Sequence, residues 1–464
     1  MSTRPNKIFR ILTLLVIVTL VIIGYATFPT KTEPPIPDVK EKSKLKDVTT
    51  ESVYAQLANQ NLKGLKAKTV NEVLELSDDE IDLATAILLI SKKTFDDLYH
   101  IDVDIAKYRH RIDDMAVALS KKIGTEREPE DIIQALNHYF FKDLNFSHIS
   151  AKKNPKAIFL NFVLDENKAN CLGLSILYLS LAERIGLPLY GVSPPYHFFV
   201  RYEEDGKSIN IEITDKGKFT SDDFYKERFN ISEGSAFYLK SLGKQETVST
   251  FLGNVGNLYL EKGRPDEAIS LYKKALVIIP RYVEVHSRLG TAYADKGMFA
   301  EAISEQKKAL AIDPESDIAH GNLGEIYFRM NKLDEAVLAC KKAIAINPEN
   351  AQAHNSLGNC YMAKDLLDQS ISEFKTALTI EPNNAILHSN LGLAYSHKGM
   401  LDEAISEYKK TLAINPNYAP AHYNLAVVYY YKKRYVLAIK HCDRATQLGY
   451  RVKPALLNLL KPYR

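Results

Sequence analysis

The C-terminal part of this chain repeats with a period of 34 residues, and three residue types keep this step. The closing prolines are Pro280, Pro314, Pro348, Pro382 and Pro416. The glycines are Gly256, Gly290, Gly324, Gly358 and Gly392, and tyrosines keep the same step from Tyr259 to Tyr429. Such a period is typical of a solenoid, in which each two-helix unit buries its apolar face only against its neighbours.

Within one period, a Leu-Gly pair is followed by a tyrosine, an alanine and a closing proline. In the second period the last three are Tyr293, Ala302 and Pro314. Small residues allow two helices to approach closely, and a proline cannot continue the helix that it follows. This order resembles the tetratricopeptide (TPR) repeat, which binds other polypeptides. We expect six repeats over residues 249–450 and a capping helix over residues 451–464, which would cover the last apolar face.

One slot of the repeat is rich in asparagine. Its residues are Asn254, Asn322, Asn390 and Asn424, with Arg288 and Ser356 in the two other repeats. In TPR domains this slot lines the concave groove, and the series looks like the asparagine ladder of glycosyltransferase TPR superhelices. An asparagine side chain both donates and accepts, so it can pair with an extended peptide of any sequence. We therefore expect protein or peptide partners in the groove; a solvated polar face is the alternative.

Composition and cysteine content narrow the function classes. A net charge of +3, with 25% charged residues, makes no electrostatic case for nucleic acid. Four cysteines in 464 residues are not a disulfide framework. Five histidines also recur at the repeat period, but no two stand at a metal-ligand spacing within one helix. We interpret them as packing residues and expect neither a metal nor a cofactor.

The N-terminus contains the strongest signal outside the repeats. Residues 11–23 are uncharged and almost wholly apolar, and the run continues to residue 28. Residues 8–28 reach the length of about 17 residues that a membrane span needs. We expect a signal-anchor at 1–28 and an extended linker rich in Pro, Lys and Glu at 29–49. A cleaved signal peptide is the alternative.

The orientation of this anchor is open, because lysines both precede and follow the apolar run. Long domains are translocated largely regardless of such charges. We therefore expect a single-pass membrane protein whose bulk lies outside the cytoplasm, on the periplasmic side of a bacterial membrane.

The middle of the chain combines a buried helix with a hairpin. Residues 171–186 are apolar nearly all round, which is typical of a helix in a domain core. Cys171 lies in its first turn. Residues 196–202 then alternate like a strand, Asp205-Gly206 suits a type I′ turn, and residues 208–214 form the returning strand.

The hairpin predicts which side chains share a face. With Asp205-Gly206 as the loop, His197 lies opposite Thr214, and Glu212 is its diagonal neighbour on the same polar face. Phe198, Val200 and Tyr202 alternate onto the other face, with three isoleucines of the returning strand. A cysteine at a helix N-terminus, facing a histidine that a carboxylate orients, is the arrangement of a nucleophile, its base and an orienting group.

Two segments carry a second resemblance. Asn-Cys-Leu-Gly-Leu-Ser-Ile-Leu-Tyr-Leu at Cys171, followed by Pro-Tyr-His-Phe-Phe-Val-Arg at His197, resembles the transglutaminase-like superfamily. The likeness covers most of residues 100–215 and is greatest to a bacterial branch with a helical N-terminal half. It implies a papain-like α+β domain over residues 50–245, with Cys171 as nucleophile and His197 as base. The third member of the family's triad is usually Asp, whereas this sequence offers Glu212.

The free energy needed to lower the pKa of a thiol shows whether a helix N-terminus alone can activate Cys171. A catalytic cysteine generally titrates about two units below the ordinary thiol, which corresponds to about 2.7 kcal/mol. A helix N-terminus supplies only ~0.3–1 kcal/mol. The enzyme interpretation therefore requires an ion pair between Cys171 and His197.

The sequence thus predicts a mostly α-helical protein with a transmembrane helix, an α+β transglutaminase-like domain and an α-solenoid. Its predicted function is that of a membrane-anchored scaffold for protein or peptide partners. The transglutaminase-like domain at residues 50–245, the cysteine domain, is predicted to hydrolyse amide bonds or to transfer their acyl groups. The alternative is a non-catalytic interaction module with a relic cysteine domain, since the family also contains domains without established catalysis. The sequence does not distinguish hydrolysis from acyl transfer, and it does not indicate an oligomeric state.

Overall fold

Helices dominate the part of the chain that the structure describes. A computed structural model describes residues 67–124, 128–150, 153–229, 231 and 233–464, all of which fall in one compact unit of residues 45–464. Within these ranges no helix is both long enough and apolar enough to cross a membrane. The predicted anchor at 8–28 and the linker at 29–49 lie outside the described residues.

Seven described α-helices precede the solenoid. They are α1 (Val70–Glu75), α2 (Leu83–Tyr99), α3 (Ile105–Ile123), α4 (Pro129–His138), α5 (Leu160–Glu166), α6 (Cys171–Ile185) and α7 (Asp222–Phe229). A π-helical turn, Tyr139–Asp143, continues α4. Short 3-10 helices span Pro155–Ile158, Ile213–Asp215 and Glu233–Leu239.

The strands form one sheet and one separate pair. They are β1 (Ser147–His148), β2 (Lys168–Ala169), β3 (Leu189–Val192), β4 (Phe199–Glu204), β5 (Lys207–Glu212), β6 (Lys218–Thr220) and β7 (Ser241–Leu242). The antiparallel sheet has the order β6-β5-β4-β3-β7, whereas β1 and β2 pair in parallel. The strands are therefore a small part of the fold, and all of those described lie in the cysteine domain.

The β4–β5 hairpin has the predicted register, with Glu204 paired to Lys207. Asp205 and Gly206 have φ angles of 50° and 80°, as a type I′ turn requires. Strand β4 begins at Phe199, three residues later than residue 196 where the alternation predicted it. The reason is that Tyr196 has a φ of 61°, which takes its backbone out of the extended region.

Both faces of this sheet are covered. The β4–β5 face predicted to be apolar packs Val200 and Ile211 into the largest apolar cluster, which also contains most of α6. Only Cys171 and Glu183 among the residues of α6 are not buried, as the all-round apolar pattern predicted. On the opposite face the Phe199 ring stacks on the Tyr225 ring of α7, with centroids 3.8 Å apart.

The C-terminal array consists of six consecutive helix pairs. They are α8 (Lys244–Glu261) with α9 (Pro265–Ile278), α10 (Val283–Asp295) with α11 (Phe299–Ile312), α12 (Asp317–Arg329) with α13 (Leu333–Ile346), α14 (Ala351–Ala363) with α15 (Leu367–Ile380), α16 (Ala385–His397) with α17 (Leu401–Ile414), and α18 (Ala419–Tyr431) with α19 (Tyr435–Gln447). A last helix, α20 (Pro454–Leu460), buries Leu456 and Leu460 in the cluster at the end of the array. It occupies the place predicted for a cap.

Packing within each pair explains two of the repeated series. A Cβ atom at Gly392 would lie 2.8 Å from the Tyr408 ring, so this slot admits only glycine or a small residue. The histidine series links each of the last five helix pairs to the preceding proline turn. In the fifth pair, His388 Nε2 lies 3.0 Å from the carbonyl oxygen of Pro382, and its Nδ1 lies 2.6 Å from Glu407 Oε2.

One core joins the cysteine domain to the first repeats. Phe251 of α8 is fully buried and packs edge-on against Phe159, with ring centroids 5.7 Å apart. Lys244 Nζ lies 2.8 Å from Glu183 Oε1, and the Tyr259 hydroxyl donates to Asp97 at 2.8 Å. The first helix pair is thereby fixed against the domain that carries Cys171.

Candidate active site between the cysteine domain and the repeats

Cys171 is the first residue of the buried helix α6. The preceding Asn170 caps the helix, because its Oδ1 accepts from the Gly173 N–H at 2.8 Å. A Cβ at position 173 would lie 2.4 Å from the carbonyl oxygen of Ala157, so this close approach requires glycine. Cys171 is partly exposed, whereas the three other cysteines, Cys340, Cys360 and Cys442, are buried. The accessible thiol of the described chain is therefore the one at a helix N-terminus.

His197 and Glu212 meet as the hairpin predicted. His197 Nε2 lies 2.7 Å from Glu212 Oε2, and the two side chains are only 9% and 3% exposed. Cys171 lies close enough to His197 to raise the pKa of its ring. Because Nε2 is engaged by Glu212, the ring nitrogen available to the sulfur is Nδ1. The structure thus brings the three predicted side chains together in the order Cys171, His197, Glu212.

The Glu212 carboxylate accepts hydrogen bonds from Tyr225 and Thr214 in addition to its contact with His197. Its Oε2 accepts from the Tyr225 hydroxyl at 2.9 Å, and its Oε1 accepts from the Thr214 N–H at 3.0 Å and from the Thr214 hydroxyl. Burial raises its pKa, but the hydrogen bond and charge of His197, and then the hydrogen bonds of Thr214, lower that pKa to about 2. A glutamate is thus accommodated and kept ionised where the family usually has aspartate.

The histidine is charged at neutral pH. Burial lowers its pKa, but the interaction with Cys171 and then the hydrogen bond and charge of Glu212 outweigh burial, and the pKa of His197 is raised to about 9. A charged His197 supplies the cationic partner of the ion pair that the enzyme interpretation requires.

Replacing Glu212 by Gln removes the buried charge beside His197. We expect the pKa of His197 to fall from about 9 towards the ordinary value of about 6.5. A raised histidine pKa stabilises the fold below about pH 6.5, and this stability is lost as the pH rises through about 9. The unfolding free energy of the native chain should therefore fall by up to about 3 kcal/mol across this window, and by less in the variant.

Histidine NMR titrations and urea unfolding at several pH values measure these two effects. Glu301→Gln, which alters an exposed carboxylate on α11, is the matched control. An unchanged His197 pKa in Glu212→Gln would contradict the orienting contact.

The site opens into a cavity of about 380 Å³ that residues of the cysteine domain and of the repeats line together. Its lining includes Cys171 and His197 of the cysteine domain, and Asn254 of α8 with Glu284 and Arg288 of α10. Asn254 and Arg288 occupy the asparagine-rich slot of the first two repeats. The predicted groove slot therefore begins inside the cavity that contains the cysteine.

A wider cleft of about 940 Å³ adjoins this cavity. It runs along the second and third helix pairs and shares Tyr196, Glu284 and Ile318 with the cavity around Cys171. The two cavities are therefore neighbours, and together they extend from the repeats to Cys171.

The four predicted ladder residues are all half-buried. Asn254 donates to the Thr250 carbonyl at 2.9 Å, Asn322 to the Ser287 hydroxyl at 3.2 Å, and Asn390 to Asn355 Oδ1 at 2.9 Å. In each of these three amides the described residues leave one N–H and the carbonyl oxygen for a ligand. Asn254 lies in the cavity with Cys171, whereas Asn322, Asn390 and Asn424 do not line it.

Sequence reasoning missed several neighbours of the site. His148 lies close enough for the charge of His197, after burial, to lower its pKa. It arrives through the pairing of β1 with β2, which places His148 opposite Ala169, two residues before Cys171. Tyr225 and Glu284 come from distant helices. Strands of two residues and contacts between distant helices leave no periodic signal in a sequence. Among the lining residues from the repeats, Arg288 had such a signal, because it occupies a slot of the asparagine ladder.

Comparisons with known proteins agree with both resemblances. Residues 106–242 match the model of the transglutaminase-like superfamily, and five windows between residues 256 and 433 match that of the TPR repeat. The chain therefore contains a transglutaminase-like domain followed by TPR repeats, as predicted. The repeat model matches five windows, whereas the described structure has six helix pairs.

Similar proteins cover parts of the chain. UPF0162 proteins from two strains of Xylella fastidiosa, 9a5c and Temecula1, are 24% identical over 227 residues, which is 46% of this chain and 78% of each relative. Among solved structures, a thermophilic TPR protein of Thermus thermophilus is 25% identical and covers 39% of this chain and 98% of its own, with a TM-score of 0.37. The pilF protein of Pseudomonas aeruginosa is 17% identical and covers 47% of this chain and 97% of its own, with a TM-score of 0.40.

Proposed function

We propose that this chain is a membrane-anchored cysteine hydrolase or acyltransferase that acts on amide bonds of polypeptides bound by its TPR groove. One observation supports the proposal: Cys171 and His197 line one cavity together with residues of the first two repeats. A scaffold with an unrelated relic domain would not need its peptide-binding slot to enter the cysteine's cavity. The membrane anchor is part of the proposal on the strength of the apolar run at residues 8–28.

The chemistry follows from the three side chains. The Cys171 thiolate attacks the carbonyl carbon of the amide, and the electron pair of the carbonyl moves to its oxygen. The backbone N–H groups of Cys171 and Leu172 have no acceptor among the described residues and can donate to that oxyanion. His197 then gives its Nδ1 proton to the leaving nitrogen as the C–N bond breaks, which leaves a thioester on Cys171.

The second half of the reaction reverses these proton transfers. A water or an amine loses a proton to His197 Nδ1 and attacks the thioester carbonyl. The C–S bond breaks, and the thiolate and imidazolium pair is restored. Glu212 keeps the ring oriented and stabilises its charge throughout, since its carboxylate stays ionised.

Binding of the substrate is assigned to the ladder residues of the groove. Replacing Asn322 and Asn390 together by Ala should weaken the binding of peptides selected from a random pool by about tenfold, since each amide contributes about 0.5–1.5 kcal/mol. Asn458→Ala, on the exposed face of α20, is the control. Fluorescence anisotropy measures the affinities, and equal affinity in the double variant would remove the ladder from the binding site.

Acid-quenched mass spectrometry of the same mixtures tests the catalytic part. A thioester on Cys171, absent from Cys171→Ala, supports the proposal. Peptides that bind without any thioester or cleaved product would instead identify a non-catalytic interaction module.

A further inference from the structure

We propose that Glu284 and Tyr196 form a subsite for a cationic side chain, so that the polypeptide processed at Cys171 carries Lys or Arg beside the bond that is attacked. This inference rests on the proposed function and names the substrate class of that site. The second TPR repeat, which carries Glu284, would then help to select which amide bond of the substrate is attacked, in addition to binding the substrate.

Glu284 has an unusual position for a carboxylate. It is the second residue of α10, and it lines both the cavity of Cys171 and the adjoining cleft. Across the described ranges no side chain donates a hydrogen bond to it or forms an ion pair with it. Burial and the charge of Asp313 raise its pKa to about 7, against the opposing effects of its own backbone N–H and of Arg288. Its side chain is half-buried. A carboxylate removed from water in this way is costly unless a cation pairs with it, and a substrate cation would do so.

Two of the other four carboxylates of the cleft, Asp313 and Asp317, already have donors. The Tyr238 hydroxyl donates to Asp313 Oδ2 at 3.0 Å. The amides of Asn347 and Asn350 donate to Asp317 Oδ2 at 2.8 and 2.9 Å. Glu284 thus differs from both in offering its charge to a ligand rather than to the fold.

The charge of the cleft favours the same ligand. Its lining contains five carboxylates, against the single guanidinium of Arg228. The carboxylates are Glu284, Asp313, Glu315, Asp317 and Glu349. A polypeptide that approaches Cys171 along this cleft therefore meets a negative surface, which attracts basic segments and repels acidic ones.

Tyr196 supplies an aromatic face at the junction. It directly precedes His197, lines the same two cavities as Glu284, and is 66% exposed. Its φ of 61° is costly for a bulky residue, and such conformations are concentrated at functional sites. An ammonium or guanidinium group between a carboxylate and an aromatic face is stabilised by both.

Arg288 compensates only part of the charge of Glu284. It lies one turn further along α10 and also lines the Cys171 cavity, but the two side chains form no ion pair. Its position in the ladder slot suits the carbonyl oxygens of a bound peptide, which leaves Glu284 for the side-chain cation.

Peptidyl acyloxymethyl ketones test the inference on the full chain. Three probes differ in one residue beside the electrophile: lysine, the uncharged norleucine, or glutamate. The rate at which each alkylates Cys171 is followed by mass spectrometry. We expect the lysine probe to react at least about tenfold faster than the norleucine probe, which is the usual effect of a charge-assisted contact, and the glutamate probe to react slowest.

Glu284→Gln should reduce the lysine-to-norleucine ratio to about one, whereas the exposed-site control Glu301→Gln should keep the native ratio. Equal rates for all three probes on the native chain would overturn the cation subsite while leaving the proposed function intact. Alkylation by none of them would overturn the proposed function itself. Because the native ratio is measured without any substitution, the test stands even where Glu284→Gln fails to fold; a folded Glu284→Gln that keeps the native ratio would also overturn the subsite.

Discussion

Replacing His197 by Ala should make the alkylation of Cys171 by iodoacetamide steeply dependent on pH. Without the imidazolium, the thiol should behave as an ordinary cysteine with a pKa of about 8.5, so the reactive thiolate fraction falls roughly 80-fold between pH 8 and pH 6. In the native chain, the pKa of His197 is raised to about 9, so a cation lies beside the sulfur over this whole range. The native rate should therefore change little over the same range.

The chain offers a clean measurement of this effect. Since Cys340, Cys360 and Cys442 are buried, labelling of the folded protein reports on Cys171, and Cys171→Ala gives the background. His148→Ala is a matched control, because it removes a second histidine near the site and leaves the pair of His197 and Glu212 in place. The same pH slope in the native chain and in His197→Ala would show that no ion pair exists.

Replacing Phe251 by Ala should destabilise the whole described unit by about 3–5 kcal/mol. The ring is fully buried and packs edge-on against Phe159, so its loss leaves a cavity between α8 and the cysteine domain. Because the apolar cluster continues from this point into both halves, the cysteine domain and the first repeats should lose stability together.

Urea unfolding, followed by circular dichroism and by exposure of the buried thiols, measures this change. Val277→Ala, at an 81% exposed position of α9, should alter the unfolding free energy by less than about 0.5 kcal/mol. A loss below about 1 kcal/mol in Phe251→Ala would contradict a core shared by the domain and the repeats.

Much of the fold could be predicted because its signals are local. The 34-residue period alone locates the helix pairs, since the glycine slot faces a side chain of the second helix of its own pair, as Gly392 faces the Tyr408 ring. The Asp205-Gly206 turn fixes the hairpin register, and the register places His197 beside Glu212. Cys171 was then identified from its place at the start of a helix that is apolar on every side.

The rest of the site depends on how distant elements pack. Tyr225 reaches Glu212 only because α7 covers the sheet, and Glu284 enters the cavity only because α8 holds the solenoid against the domain. The left-handed conformation of Tyr196 was hidden by a residue type that favours strands. None of these contacts has a fixed spacing along the chain, so no sequence pattern could show them.

Acid-quenched mass spectrometry of the full chain, mixed with peptides that its groove binds, tests most directly whether Cys171 turns over bound polypeptides. We expect an acyl fragment of the peptide attached to Cys171, with release of the matching amine fragment, and neither in Cys171→Ala. Peptides that remain bound and intact, with no mass added to Cys171, would contradict it.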